Sequence, residues 1–235
     1  MEEKQLAPHY LFGEISGDEE FNVAIWLEKV KSKIKNQKSK IIIVGGTGMY
    51  LNALFHGLSP IPEIPADIRE KVRAMDKAEL LGQLGEHGDG NTNRMRRNLE
   101  VKLATGKYIG EFHEGDNGHS FKPEDFTILN MNVSRETIYD NINKRFVSMV
   151  ENGAIEEVRQ LLRHGYSPAR SVMKAVGVAE IKAYLGGEIS LAVAVEKASQ
   201  RSRNYAKRQM TWFRNQLPAN KIDVASFAGA ASLII

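Results

Sequence analysis

The stretch KIIIVGGTGMYLNALFHGL, residues 40–58, decides how this chain is read. Four β-favouring residues, Ile41 to Val44, run straight into Gly45-Gly46-Thr47-Gly48, and apolar residues at helical spacing follow. That is how a parallel strand hands its chain to a helix, so the pattern predicts a strand over 41–44 and a helix over 48–57. The three glycines let the backbone turn sharply and approach a ligand with no Cβ in the way. A helix starting there would aim free N–H groups and the positive end of its dipole at an anion, with the Thr47 hydroxyl as a further donor. A plain strand-to-helix turn accounts for the same letters. No GxxxxGK(S/T) phosphate loop occurs anywhere in the chain.

Working outward, 235 residues suffice for one sizeable core, or for a core with a small insert. The composition, 42% hydrophobic and 26% charged, is that of an ordinary water-soluble protein, and no apolar run is long enough to cross a membrane. The opening residues MEEKQLAPHYLFGE lack the layout of a signal peptide. There is no cysteine, which excludes disulfides and thiolate metal sites and fits a cytoplasmic protein. The six histidines show no ligand spacing, so no metal-binding residues are expected.

The elements expected before the turn are a helix over 20–36, and after it a proline-rich break, SPIPEIP, then a helix over 66–84. A basic amphipathic helix over 92–105 stops at Gly106, and a polar loop fills 107–124. A second core strand lies within 126–133. Helices follow near 135–151, 153–164, 171–185 and 190–216, opened by serines at 134 and 190 and closed by Gly165 and Gly186. Few strands among many helices make the class α/β, helix-dominated.

Net charge is only +3, but it is unevenly spread. Lys197 to Arg214 holds six Lys/Arg and no acid, whereas Glu111 to Asp125 is acid-rich. On a helix, Ala206, Met210, Phe213 and Leu217 share a core stripe. Lys197, Arg201 and Arg208 form one basic column, and Arg203, Lys207 and Arg214 another, with Tyr205 and Trp212 interleaved. Cations beside aromatic rings suit a nucleic acid, phosphates pairing with charge and bases stacking on rings. In NTNRMRRNLEVKLATGK, Arg94 and Arg97 point roughly one way while Leu99 and Leu103 are free to pack; a solvated helix face would read the same. Gly177, inside a helical pattern, costs about 1 kcal/mol against alanine and implies close packing or a close ligand.

These pieces together resemble one family, the bacterial tRNA dimethylallyltransferases, also called tRNA isopentenyltransferases. The resemblance rests on APHYLFGEIS, GGTGMYLNALFHGLSPIPEI, IRE, NRMRRNLEVKLATGK, GAIEEVRQLLRHGY, VMKAVGVAEIKAYLGGEIS and YAKRQMTWFRNQ, in family order over residues 7–216. It implies a P-loop NTPase-like core, residues 1–69 and 125–235, with a small helical insert at 70–124. It implies transfer of dimethylallyl from its diphosphate to N6 of adenosine 37 of tRNAs reading codons that begin with U, with Mg2+ assisting at the diphosphate. The partners would be a tRNA anticodon stem-loop and dimethylallyl diphosphate, with no membrane, and the protein would be a monomer. By this resemblance Thr47 and Arg69 are catalytic, and Gly45, Gly46, Thr47, Gly48 and Arg69 line the diphosphate channel. The tRNA-contacting segments would be Asn93, Arg94, Met95, Arg96 and Arg97; Lys174, Ala175, Val176 and Gly177; and Lys207, Arg208, Gln209, Met210, Thr211, Trp212, Phe213 and Arg214. The family also begins with a GPTASGKS-type loop and a DSMQVYRG-like segment bearing its catalytic aspartate, and neither is present here. Where the family commonly has Gly-Tyr, this chain has Gly177-Val178. The expectation is therefore an N-terminally truncated transferase, inactive alone. The alternatives are a non-catalytic RNA-binding remnant and a P-loop-like small-molecule kinase.

Overall fold

The structure, a computed structural model, describes residues 7–37, 39–112 and 121–234. In chain order the helices and strands are α1 (Val23–Asn36), α2 (Gly48–His56), α3 (Ala66–Ala74), α4 (Lys77–Leu84), α5 (Thr92–Thr105), β1 (Leu129–Met131), α6 (Arg135–Glu151), α7 (Ala154–Arg163), α8 (Val178–Leu185), α9 (Leu191–Gln216), β2 (Ile222–Val224) and α10 (Phe227–Ile234). They divide into two compact units, Met1–Leu51 with Lys122–Ile235, and Asn52–Phe121.

In the first unit the core is helical. Phe146 of α6, Ala154 and Val158 of α7, Val178 and Ile181 of α8 and Ala198 of α9 form one buried cluster. α9 is the spine, packing on both α6 and α8. Its small residues Ala194, Ala198 and Ser199 are buried, which lets the neighbouring helices approach closely. Ser190 caps it by accepting from the Val193 N–H at 3.3 Å. Beside the helices, β1 and β2 pair in parallel with Leu129 opposite Ile222 and Met131 opposite Val224.

The second unit has its own core of Val72, Leu80, Leu84, Met95 and Leu99. α5 spans the range expected for it. Asn91 accepts from the N–H groups of Asn93 and Arg94, and Gly106 ends the helix at φ +77°, where a side chain would be strained.

Three expectations need correcting. Residues 41–44 are not a strand: no other segment among the described residues pairs with them, and Ile42 and Val44 are 59% and 85% exposed. The helix expected over 66–84 is broken at Met75-Asp76. There the Asp76 carboxylate accepts from Glu79 N–H and Glu79 accepts from Asp76 N–H, a capping box that starts α4 anew. Gly177 is not inside a helix. It sits at φ +101° between a 3-10 turn (Val172–Lys174) and α8. β2 and α10 were not anticipated, and part of the acidic 107–124 loop, residues 113–120, lies outside the described residues.

Candidate functional site

Gly46, Thr47 and Gly48 rest on one face of α9, at Tyr205, Gln209 and Trp212. The spacing i, i+4, i+7 puts those three side chains in a single stripe. Gln209 Nε2 donates to the Gly46 carbonyl at 2.7 Å. The Thr47 and Tyr205 hydroxyls share a hydrogen bond at 3.2 Å. Trp212 occupies the space beside Gly48, where an added Cβ would lie 2.2 Å from Cδ2 of the indole. Gly45 is open, with nothing within 4 Å of an added Cβ. The glycines at 46 and 48 are thus needed because α9 side chains fill the places their Cβ atoms would take. The next turn of α2 carries Tyr50, stacked on Trp26 of α1 at 4.7 Å between centroids. Burial, helped by repulsion from Tyr205, raises the Tyr50 phenol above its ordinary value.

Beyond this stripe α9 presents an open groove of about 560 Å³, lined by Lys207, Arg208, Thr211 and Trp212 with Asn204 and Asn215. Among the described residues Lys197, Lys207, Arg208 and Arg214 have no acidic partner. Arg208 lies over the Tyr205 ring at 5.7 Å. The basic block is therefore only partly free. Arg201 donates to Glu180 at 2.7 Å, and Arg203 to Glu196 and Asn143, each at 2.6 Å. Those acids lie outside the 197–214 window and could not be paired from the sequence. Thr211 turns its hydroxyl to the Lys207 carbonyl. Met210 and Phe213 are half-buried, and Arg214 is exposed. Trp212 and Phe213 meet edge to face at 5.5 Å.

The 174–177 turn is tied to the same helix. Glu180, 8% exposed, accepts from the Gly177 N–H at 3.2 Å and from Arg201, fixing the turn against α9. Lys174, Ala175 and Val176 are exposed there, while Gly177 is buried with Phe146 close by. Glu180 was not expected among the site residues, and Tyr205, expected beside the basic columns, was not expected at the glycine turn. The signal for Tyr205 was its spacing from Gln209 and Trp212; Glu180 had none.

Arg69 and the 93–97 segment belong to the second unit. Arg69 is half-buried on α3. Asn93 is exposed, Arg94 pairs with Asp89 at 2.6 Å, and Arg97 with Glu100 at 3.5 Å. Arg96 donates to the Met75 carbonyl at 3.2 Å. Met95 is 1% exposed, so its side chain is a core residue and is not available to touch RNA. No helix among the described residues is long and apolar enough to cross a membrane.

A small parallel sheet beside a long basic helix, with a glycine turn held on that helix, defines a helix-dominated α/β protein with a basic groove on its long helix. The model of the IPP transferase family matches residues 1–216. A tRNA dimethylallyltransferase of Wolbachia pipientis (strain wPip) is 40% identical over 234 residues, covering 93% of this chain and 78% of that one. A solved tRNA delta(2)-isopentenylpyrophosphate transferase of Staphylococcus epidermidis aligns with TM-score 0.66 and 28% identity over 99% of this chain and 81% of that one. A eukaryotic dimethylallyltransferase acting on tRNA shares the fold at TM-score 0.77, with 22% identity over 99% of this chain and 65% of that one. The chain belongs to the IPP transferase family.

Proposed function

We propose that the chain serves to transfer a dimethylallyl group from dimethylallyl diphosphate to N6 of adenosine 37, beside the anticodon of tRNAs that read codons beginning with U. One observation carries the reading. A glycine turn suited to an anion and a groove with unpaired cations are built on the same helix, with Trp212 common to both. In the reaction the N6 lone pair attacks the methylene carbon of the donor. The carbon–oxygen bond breaks, its electron pair leaves with pyrophosphate, and N6 gives up a proton to a base. Negative charge grows on the departing diphosphate, and donors already aimed at it lower the barrier. Thr47 and the turn N–H groups would supply that at the turn, and we assign Arg69 the same task. Lys207 and Arg208 would pair with the phosphates of the stem-loop, which must release the adenine from its stack. We take residues 70–124 as the insert, contributing Arg94 and Arg97 to the RNA, and the working species as a cytoplasmic monomer.

Magnesium is implied by the family, but the described residues do not fit a resident ion. No three carboxylates or histidines converge among them, and the Thr47 hydroxyl is engaged with Tyr205.

The sequence holds no GxxxxGK(S/T) loop, so the test uses two polypeptides. The 235 residues alone are expected to bind an anticodon stem-loop without prenylating it. The same residues fused behind the P-loop-bearing segment of a relative are expected to add one dimethylallyl group to the adenine, read by mass spectrometry. A fusion that binds the stem-loop yet never prenylates it would leave an RNA-binding module. One that binds neither substrate would remove the reading.

A further inference from the structure

The sequence places Gln209 within an RNA-contacting segment, but its side chain faces the other way. Its amide is half-buried and donates to the Gly46 carbonyl at 2.7 Å. In a trans peptide the C=O and N–H of one unit point in opposite directions, and no peptide among the described residues is cis. The Gly46 carbonyl and the Thr47 N–H belong to one such unit. With the carbonyl held against α9, the Thr47 N–H must point away from α9, toward the open side of the turn. Among the described residues that N–H has no partner. Tyr205 holds the Thr47 side chain from the same face at 3.2 Å.

We propose that Gln209 is a positioning residue for the diphosphate: by capturing the Gly46 carbonyl it fixes the orientation of the Gly46–Thr47 peptide and so presents the Thr47 N–H to a phosphate oxygen. The role rests on the reading of this turn as the diphosphate site. Without the amide, nothing on α9 holds the Gly46 carbonyl, and glycine at 46 lets the peptide rotate about its own ψ over a wide range. A flipped peptide presents a carbonyl oxygen to the anion in place of a donor. Gln209 thus acts through the backbone and need not touch the substrate.

The experiment titrates the 13C,15N-labelled 235-residue chain with inorganic pyrophosphate and follows the amide signals of Gly45, Thr47 and Gly48. It compares the wild type with Gln209→Met, which keeps the length and packing of the side chain but cannot donate. Tyr205→Phe is the second variant. The expected result is that the Thr47 amide moves on titration of the wild type, and that Gln209→Met weakens binding about tenfold or more, the size of a lost hydrogen bond to a charged group. The Gly46 carbonyl 13C shift should change in the free variant, while the signals of residues 191–200 stay put. Tyr205→Phe should weaken binding less, since it loosens the hydroxyl and leaves the peptide held. Equal pyrophosphate affinity in wild type and Gln209→Met would overturn the positioning role and leave the turn as the diphosphate site. A wild type whose turn amides ignore pyrophosphate would remove the turn as that site, and the role of Gln209 with it.

Discussion

At Gly48 a methyl group would fall 2.2 Å from the Trp212 indole, at Gly46 it would fall 2.1 Å from the tip of Gln209, and at Gly45 it would meet nothing. The three glycines are therefore not equivalent. Gly48→Ala forces a rigid ring to move and is expected to cost about 1–3 kcal/mol, the usual range for overpacking. Gly46→Ala should cost less, because a flexible amide can swing aside at the loss of one hydrogen bond. Gly45→Ala should stay within about 0.5 kcal/mol of wild type. Urea denaturation of the three variants checks the ranking. Tyr50 gives a second test. Its folded phenol is raised, first by burial and then by Tyr205, so the neutral form is favoured in the folded state. That contribution is fully present below the ordinary value of 10.0 and is lost as pH rises through the raised folded value. Tyr50→Phe should flatten the fall of the melting temperature above about pH 10. The need for glycine in this turn was legible in the sequence. Its cause was not, because the side chains that crowd it lie 163 residues downstream in the case of Gln209.

Helix ends were the most legible elements, since a cap is a local device: Gly106, Ser134 and Ser190 each do what their position suggests. The break before α4 was also written locally, in Asp76-x-x-Glu79, a capping box that the expectation of one helix over 66–84 passed over. Residues 41–44 show the opposite failing, for a strand exists only with a neighbour and the letters IIIV cannot say whether one is present. Between elements, Glu180 joins α8 to α9, holding the Gly177 N–H and the Arg201 guanidinium together while almost fully buried. Glu180→Ala strips both partners of their acceptor and is expected to cost about 1–3 kcal/mol by urea denaturation. Glu180→Gln, which keeps the acceptor oxygen for Gly177 but removes the charge, should fall between the two.

For the molecule as a whole, a net charge of +3 gives no hint of polyanion binding, and only its distribution on α9 does. The structure sorts those cations into paired and unpaired, which the sequence could not. Stem-loop affinity should fall with salt, and Lys207→Ala or Arg208→Ala should each lower the slope of log K against log salt by about 0.7–0.9, one phosphate contact. Arg203→Ala should change the slope much less, because its charge is already committed to Glu196. Filter binding across a salt series separates the two groups. The family was legible because its blocks run in order along most of the chain. The parallel pairing of β1 with β2 was not, because its second strand, at 222–224, lies beyond the last block.

The chain has two tryptophans, and both touch the same few residues: Trp26 stacks on Tyr50 and Trp212 packs on Gly48. The second unit has none. Intrinsic tryptophan emission is therefore a built-in optical reporter of the glycine turn. It should respond when that turn is occupied.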